Sequence, residues 1–348
     1  MAKLNFHRSV IELEKLTNDR ESFLKSLSQH LSKSYLAVRD PKAKTVIRIQ
    51  ATILDEIRKF LNERGFVELL PPIIGPATDP GIRGAQRVSV NYYGMEYKLM
   101  SSAILYKQMM VTALGKIYFV SPNVRLEPLE TVYTGRHLTE FFQVDIEWAN
   151  ATYHEVMDLA EDLVLHTVKR TVERHEKDLE MLGRNLPSYS KPFERISYSK
   201  ALKILEDAGF NVKYGEEIPW KEEVAISAMF SKPFFIYDYP KTARGFYDRE
   251  DPNRPGILRD FDLIYPEGFG EAISGAEREY EYDKVVARMK ATGEDPSKYK
   301  WYLDMLKEGI SPSAGFGIGV ERLTRFICGL RAVWEARPYP KIAGLFSP

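Results

Sequence analysis

Residues 313–323 read SAGFGIGVERL, and no other stretch limits the fold of this chain so strongly. Gly315, Gly317 and Gly319 alternate with apolar residues, the period of a strand that shows a different surface on each face. Each glycine inside a strand gives up packing and costs backbone entropy, so three at alternate positions need a return. The simplest return is close approach of something flat or phosphorylated to one side of a sheet. Glu321 and Arg322 then open an apolar-periodic run over 320–329 that reads as a helix. A floor without side chains, with an arginine at its end, favours a nucleotide lying on a sheet. A helix pressed against the strand is the competing explanation and stays open from these residues alone. A Walker loop would need Gly-Lys-Ser/Thr, which is absent. A dinucleotide fingerprint would need Gly-x-Gly-x-x-Gly early in a β-α-β unit, not Gly-x-Gly-x-Gly near the C-terminus.

The remaining pattern reads as α+β, a mainly antiparallel sheet flanked by helices, because strands adjoin without regular β-α-β alternation. Residues 1–45 are polar with weak helical periodicity and read as an N-terminal helical extension, with a frayed arm as the alternative. Val46, Ile49, Ile53, Ile57 and Phe60 recur at helical spacing up to Gly65, and FVELLPPII follows as a strand stopped by Pro71-Pro72. Residues 101–115 suggest a helix with Ser102 as N-cap and Gly115 as stop. Strands are expected at 117–121, 123–127, 139–149 and 257–265, with helices from about 153 to 175 and over 281–289. The proline-punctuated residues 180–245 read as a smaller subdomain inserted in a catalytic domain of 46–348.

Strand alternation gathers the polar candidates. In EFFQVDIEW, Phe142, Val144, Ile146 and Trp148 form an apolar face, leaving Phe141, Gln143, Asp145 and Glu147 opposite. If NVRLE pairs with it, Arg125 and Glu127 join that polar face. An ordinary solvated sheet surface is the bland reading, and the glycine strand weakens it. Asp262 and Glu271, beside a strand and its return, offer oxygen ligands of the kind Mg²⁺ takes. The histidines show no zinc spacing, and Cys328 on a helix reads as packed, not nucleophilic.

Composition narrows the class. The 348 residues carry 49 Lys+Arg against 49 Asp+Glu, which argues against a protein whose main affinity is for nucleic-acid backbone. One cysteine excludes an internal disulfide framework and fits a reducing, cytoplasmic setting. No cleavable leader is evident, and no stretch approaches the roughly 20 apolar residues that cross a bilayer.

Three segments in order resemble the three motifs of class II aminoacyl-tRNA synthetases, in the aspartate/asparagine/lysine subgroup. The helix with GFVELLPPII resembles the dimer-forming first motif, NVRLE…GRHLTEFFQVDIE the second and GFGIGVERL the third. SSAILYKQ and DLIYPEGFGEAISGAERE resemble that subgroup's substrate-binding segments. The resemblance implies the class II fold, ATP and Mg²⁺ as cofactors, and a homodimer. It implies that Arg125 holds the α-phosphate, that Glu127 reads the adenine amino group, and that Phe141 and Arg322 sandwich the ring. His137 would touch the terminal phosphates, and Asp262 and Glu271 would carry the metal. Lys107 and Arg278 would bind the amino-acid side chain and Asp145 its ammonium, with Ser102 and Ser274 nearby.

The departures shape the functional expectation. The family's Ser-Pro-Gln is Ser102-Ala103-Ile104 here, and two extra residues separate Asp262 from Glu271. The tRNA-charging members carry an anticodon-binding barrel ahead of the first motif, for which residues 1–45 are helix-like and too few. That arrangement resembles the archaeal asparagine synthetases related to asparaginyl-tRNA synthetase. The resulting expectation is ATP-dependent asparagine synthesis from aspartate and ammonia through a β-aspartyl adenylate, releasing AMP and pyrophosphate. The alternative is asparaginyl- or aspartyl-tRNA synthesis, with the basic N-terminal residues contacting tRNA. A non-enzymatic paralogue is disfavoured because Arg125, Glu127, Glu271 and Arg322 are all present.

Overall fold

The computed structural model describes residues 4–79 and 84–348. Helices α1 (Arg8–Thr17), α2 (Arg20–Ser32) and the single turn α3 (Ser34–Ala37) lead into α4 (Pro41–Glu63). Asp40 starts α4 by accepting from the amides of Lys42 and Ala43, with Pro41 in the first turn where its missing N–H costs nothing. Then come β1 (Val67–Leu69), β2 (Ile74–Gly75), β3 (Ser89–Tyr92), β4 (Met95–Leu99), α5 (Ile104–Leu114), β5 (Lys116–Val124) and β6 (Glu140–Ala149). FVELLPPII is therefore two short strands parted at Pro71-Pro72. The strands expected at 117–121 and 123–127 are one. Pro122 is tolerated inside β5 because β1 pairs only with residues 117–119, so the proline meets no neighbour on that side.

Helix α6 (Tyr153–Leu182) outruns its expected end, with non-helical dihedrals at His175, and stops at Gly183 in the left-handed region. The chain continues through β7 (Glu194–Ser197), α7 (Tyr198–Asp207), α8 (Trp220–Ser227), β8 (Phe234–Tyr237), β9 (Asp260–Tyr265) and β10 (Gly270–Glu277). It closes with α9 (Tyr282–Ala291), α10 (Lys300–Glu308), β11 (Ser313–Gly319) and α11 (Val320–Cys328).

Eight strands form one sheet in the order β1-β5-β6-β11-β10-β9-β8-β7, and β2-β4-β3 form a small second one. The large sheet is antiparallel except at its two outer pairs, β1·β5 and β7·β8. One face is the core: Val144, Ile146, Phe316 and Ile318 pack with Ile49, Ile53, Val164 and Phe326 from α4, α6 and α11. Burying a side chain of that size contributes about 1.5–3 kcal/mol. The opposite face of the central strands is left for chemistry. No helix among the described residues is long and apolar enough to cross a membrane.

Candidate active site

The central strands put the glycines where the alternation required. In register, Gly317 lies between Asp145 of β6 and Ser274 of β10, and Gly319 lies opposite Gln143. Gly317 and Gly319 floor a cavity of about 490 Å³. A Cβ on Gly317 would stand 2.9 Å from Asp145 Oδ1 and 3.2 Å from Gln143 Nε2, so the floor is filled as soon as a methyl is added. Gly315 has a different reason. Its Cβ would collide with the Ile146 carbonyl and the Glu147 carboxylate, so this glycine admits a buried acid and not a ligand.

Arg125, Glu127, His137, Phe141, Glu271 and Arg322 line one end of the cavity. Arg125 Nε donates to the Ser101 carbonyl at 3.1 Å, and its guanidinium lies 5.0 Å from the Phe141 ring centre. Arg322 Nη1 pairs with Glu271 Oε1 at 3.0 Å. Burial pushes the Glu127 carboxyl up, against the pull of Arg125 and Arg322. Burial likewise drives His137 well below the usual imidazole range, helped by Arg322 and Arg136, so it is neutral beside Thr134 Oγ1 at 2.7 Å.

Behind these stand two carboxylates that the sequence reading did not single out. Glu223 Oε1 accepts from Arg136 Nη2 at 2.6 Å and from the Glu271 amide at 2.5 Å. Glu321 takes the Phe142 amide with both oxygens, at 3.2 and 3.1 Å, and burial raises it to about 7. It thereby ties the residue before Arg322 to the residue after Phe141.

The other end is an interlocked ion cluster. Arg278 Nε donates to Glu147 Oε1 at 3.1 Å, Nη1 to Asp248 Oδ1 at 3.0 Å and Nη2 to the Gly315 carbonyl at 2.9 Å. Burial opposes the Arg278 charge, but Glu147 and Asp248 outweigh it and hold the guanidinium above its usual range. Lys107 Nζ, 2% exposed on its side chain, is 3.4 Å from Asp145 Oδ1 and 3.5 Å from Glu147 Oε2. Ser102 lies on the rim, its Oγ accepting from the Ile104 amide at 3.3 Å; the residue directly before α5 is Ala103. Ser274 lines the cavity as an exposed residue of β10.

A floor shaped for a planar ring, arginines at one end and a charged slot at the other suit joint binding of a nucleotide and an amino acid. The model of the tRNA synthetases class II (D, K and N) matches residues 26–343. The chain belongs to this family. It is 37% identical to the asparagine–tRNA ligase of Pyrococcus abyssi over 317 residues, 90% of this chain and 72% of that protein. The Thermoplasma acidophilum asparagine–tRNA ligase is 33% identical over 314 residues, with 89% and 72% covered. Among solved structures, asparaginyl-tRNA synthetase from Pyrococcus horikoshii complexed with asparaginyl-adenylate superposes with a TM-score of 0.86 at 35% identity, covering 92% of this chain and 73% of that one. As a class II synthetase family member the chain is an ATP-dependent ligase, and its α+β fold is that of the family.

Eleven of the twelve site residues singled out in the sequence line the synthetase cavity, and Asp262 does not. Its Oδ2 accepts from Arg244 Nη2 at 2.5 Å. Arg244 also meets Asp260 at 3.2 Å and Glu217 at 3.0 Å, and its guanidinium lies 3.8 Å from the Tyr239 ring centre. Asp262 is therefore a partner of Arg244, not a member of an acidic pair with Glu271. Among the described residues no three His, Cys, Asp or Glu gather around a metal position. Glu271 and Ser274 still present oxygen donors to the cavity, the donor type that suits Mg²⁺ beside phosphates. Asp248 and Arg244 were missed because they come from the loop 240–251, whose RGFYDRED reads as a surface charge run. The signal was Phe246-Tyr247 in its midst: Phe246 is fully buried and Tyr247 donates to Asp79 Oδ1 at 3.0 Å.

Proposed function

We propose that the cavity joins asparagine to the α-phosphate of ATP and passes the asparaginyl group to tRNA. An oxygen of the amino acid's carboxylate attacks the α-phosphorus, the bond to the bridging oxygen breaks, and pyrophosphate leaves. Arg125 and Arg322 are placed to hold the negative charge that builds during this step. Mg²⁺, at Glu271 and Ser274, would supply further charge neutralisation on the phosphates. A tRNA ribose hydroxyl then attacks the acyl carbon and AMP departs.

The observation that carries the choice of amino acid is the charge balance of the slot. An α-ammonium matches Asp145, after which Lys107 and Arg278 are balanced by Glu147 and Asp248. A neutral amide keeps that balance, whereas a second carboxylate adds an uncompensated charge to a buried place. The asparagine–tRNA ligases among the relatives support the same reading. Lys107 favours a second reading, aspartate–ammonia ligation. Its ammonium makes only long contacts, 3.4 and 3.5 Å, and so has capacity for a substrate carboxylate.

Pyrophosphate–ATP exchange with asparagine and with aspartate, followed by product analysis with tRNA or ammonium, tests both. The expected result is exchange with asparagine, charged tRNA, and loss of exchange by about a hundredfold or more in Arg322→Ala, the scale of removing one transition-state charge contact. Exchange with aspartate alone, and free asparagine only when ammonium is added, would establish the second reading instead. We also propose a homodimer, with the partner a second copy over β1–β2, where Leu70 is 95% and Ile73 65% exposed. A monomer by light scattering at micromolar concentration would refute it.

A further inference from the structure

Residues 4–25 precede the span that the family model matches, yet they lie across the two loops that feed the nucleotide end of the cavity. The first loop, 129–138, carries Arg136 and His137. Its Gly135, at φ +65°, has the Leu13 side chain of α1 packed where a Cβ would stand, while its carbonyl accepts from the Val333 amide at 2.9 Å. The glycine is thus held between α1 and residues 332–333. Two residues earlier, Tyr133 lies 5.9 Å from the Phe23 ring of α2, and Phe23 also meets Trp334 at 6.2 Å. Arg20 lies over the same tyrosine at 4.6 Å.

The second loop is the β9–β10 turn that delivers Glu271. Here the His7 amide donates to the Glu267 carbonyl at 2.9 Å and Phe6 packs against Gly268, while the Asn5 amide ties the arm to the end of α8 through the Ala228 carbonyl at 2.8 Å. The apolar cluster under the arm is shared with the cavity itself. Leu138 and Val333 belong to that cluster, Phe141 packs against it, and all three also face the nucleotide end.

We propose that residues 4–32 are a strap that positions the ATP end of the cavity, with Leu13 and Phe23 as its pegs. The inference rests on the nucleotide-binding reading of that end and adds a structural requirement to it. Leu13 and Phe23 touch no substrate; they are positioning residues that hold Gly135 and Tyr133, and through them Arg136, His137 and Phe141. Without the pegs the loop keeps its ends but loses the packing that selects one arrangement, and the cost falls on ATP more than on the amino acid.

The test uses the full chain with Leu13→Ala and Phe23→Ala, and with the conservative Leu13→Met and Phe23→Leu. Amide hydrogen exchange of 129–138 is compared with that of β9, which lies in the buried core. The alanine variants should exchange over 129–138 at least about tenfold faster, with β9 unchanged. The KM for ATP should rise about fivefold or more while the KM for asparagine stays within about twofold, and the conservative variants should restore both readouts. Parental exchange over 129–138 would overturn the proposal. So would acceleration spread evenly into β9, or a parallel rise of both KM values, since each marks a purely structural loss. Amide hydrogen exchange needs no turnover, so a chain inactive with asparagine would sink the functional reading and leave the strap decided by that measurement.

Discussion

Replacing Arg278 by alanine is the sharpest stability test of the ion cluster. Arg278 is 4% exposed, and its loss removes the bonds to Glu147 at 3.1 Å, Asp248 at 3.0 Å and the Gly315 carbonyl at 2.9 Å. Glu147 is fully buried and then keeps the Ser313 hydroxyl at 2.9 Å and the more distant Lys107 at 3.5 Å. Breaking one side of a buried pair costs about 3–5 kcal/mol, because the remaining charge stays out of water. The serine and lysine place this site near 3 kcal/mol, a large part of a folding stability of about 5–15 kcal/mol.

The loss should carry a pH signature. Burial already raises the Asp248 carboxyl, and losing Arg278 removes the main charge that pulls it back down, so it would titrate still further above its unfolded value. A raised folded value means stability present at low pH and lost as pH rises through it, so the variant's deficit should shrink from pH 8 towards pH 5. Urea unfolding followed by tryptophan fluorescence at several pH values reads this directly, and Arg278→Met combined with Glu147→Gln should recover most of the loss. A deficit below about 1 kcal/mol at pH 7.5, or one independent of pH, would refute the argument.

Two further outcomes follow from the site. Gly317→Ala places a methyl 2.9 Å from Asp145 Oδ1 on the cavity floor and should lower kcat/KM in pyrophosphate exchange by about tenfold or more, some 1.4 kcal/mol, with the melting temperature little changed; undiminished exchange would show that the floor is not used. Glu321 is raised to about 7 by burial, so its ionisation costs stability of order 3 kcal/mol as pH climbs from 5 to 8. Glu321→Gln should flatten that slope in thermal melts, and parallel slopes in both proteins would assign it to other groups.

What the chain disclosed in advance depended on how local the cause was. The polar face of β6 and the glycines of β11 follow from a two-residue period, so Arg125, Phe141, Asp145 and Gly317 could be placed on one surface before any contact was known. Gly315 looks like its neighbours in sequence, and only the buried Glu147 across the strand pair separates its role from theirs. Asp262 sits on a strand whose return carries Glu271, but its partner Arg244 arrives from a loop 18 residues earlier. Glu321 was hidden for the same kind of reason. Beside an arginine at a helix start it looks solvated, and burial under Phe142 is a property of the assembled sheet. The division at Pro122 was misread because a proline breaks a strand only where a neighbour needs its N–H.

Arg322 and Glu271 neutralise each other across 3.0 Å at the nucleotide end of the cavity. A triphosphate that draws the guanidinium away loosens its hold on the carboxylate, and a divalent ion that engages the carboxylate loosens the guanidinium. Each visitor prepares the seat of the other, and by thermodynamic reciprocity the two gains in affinity are equal.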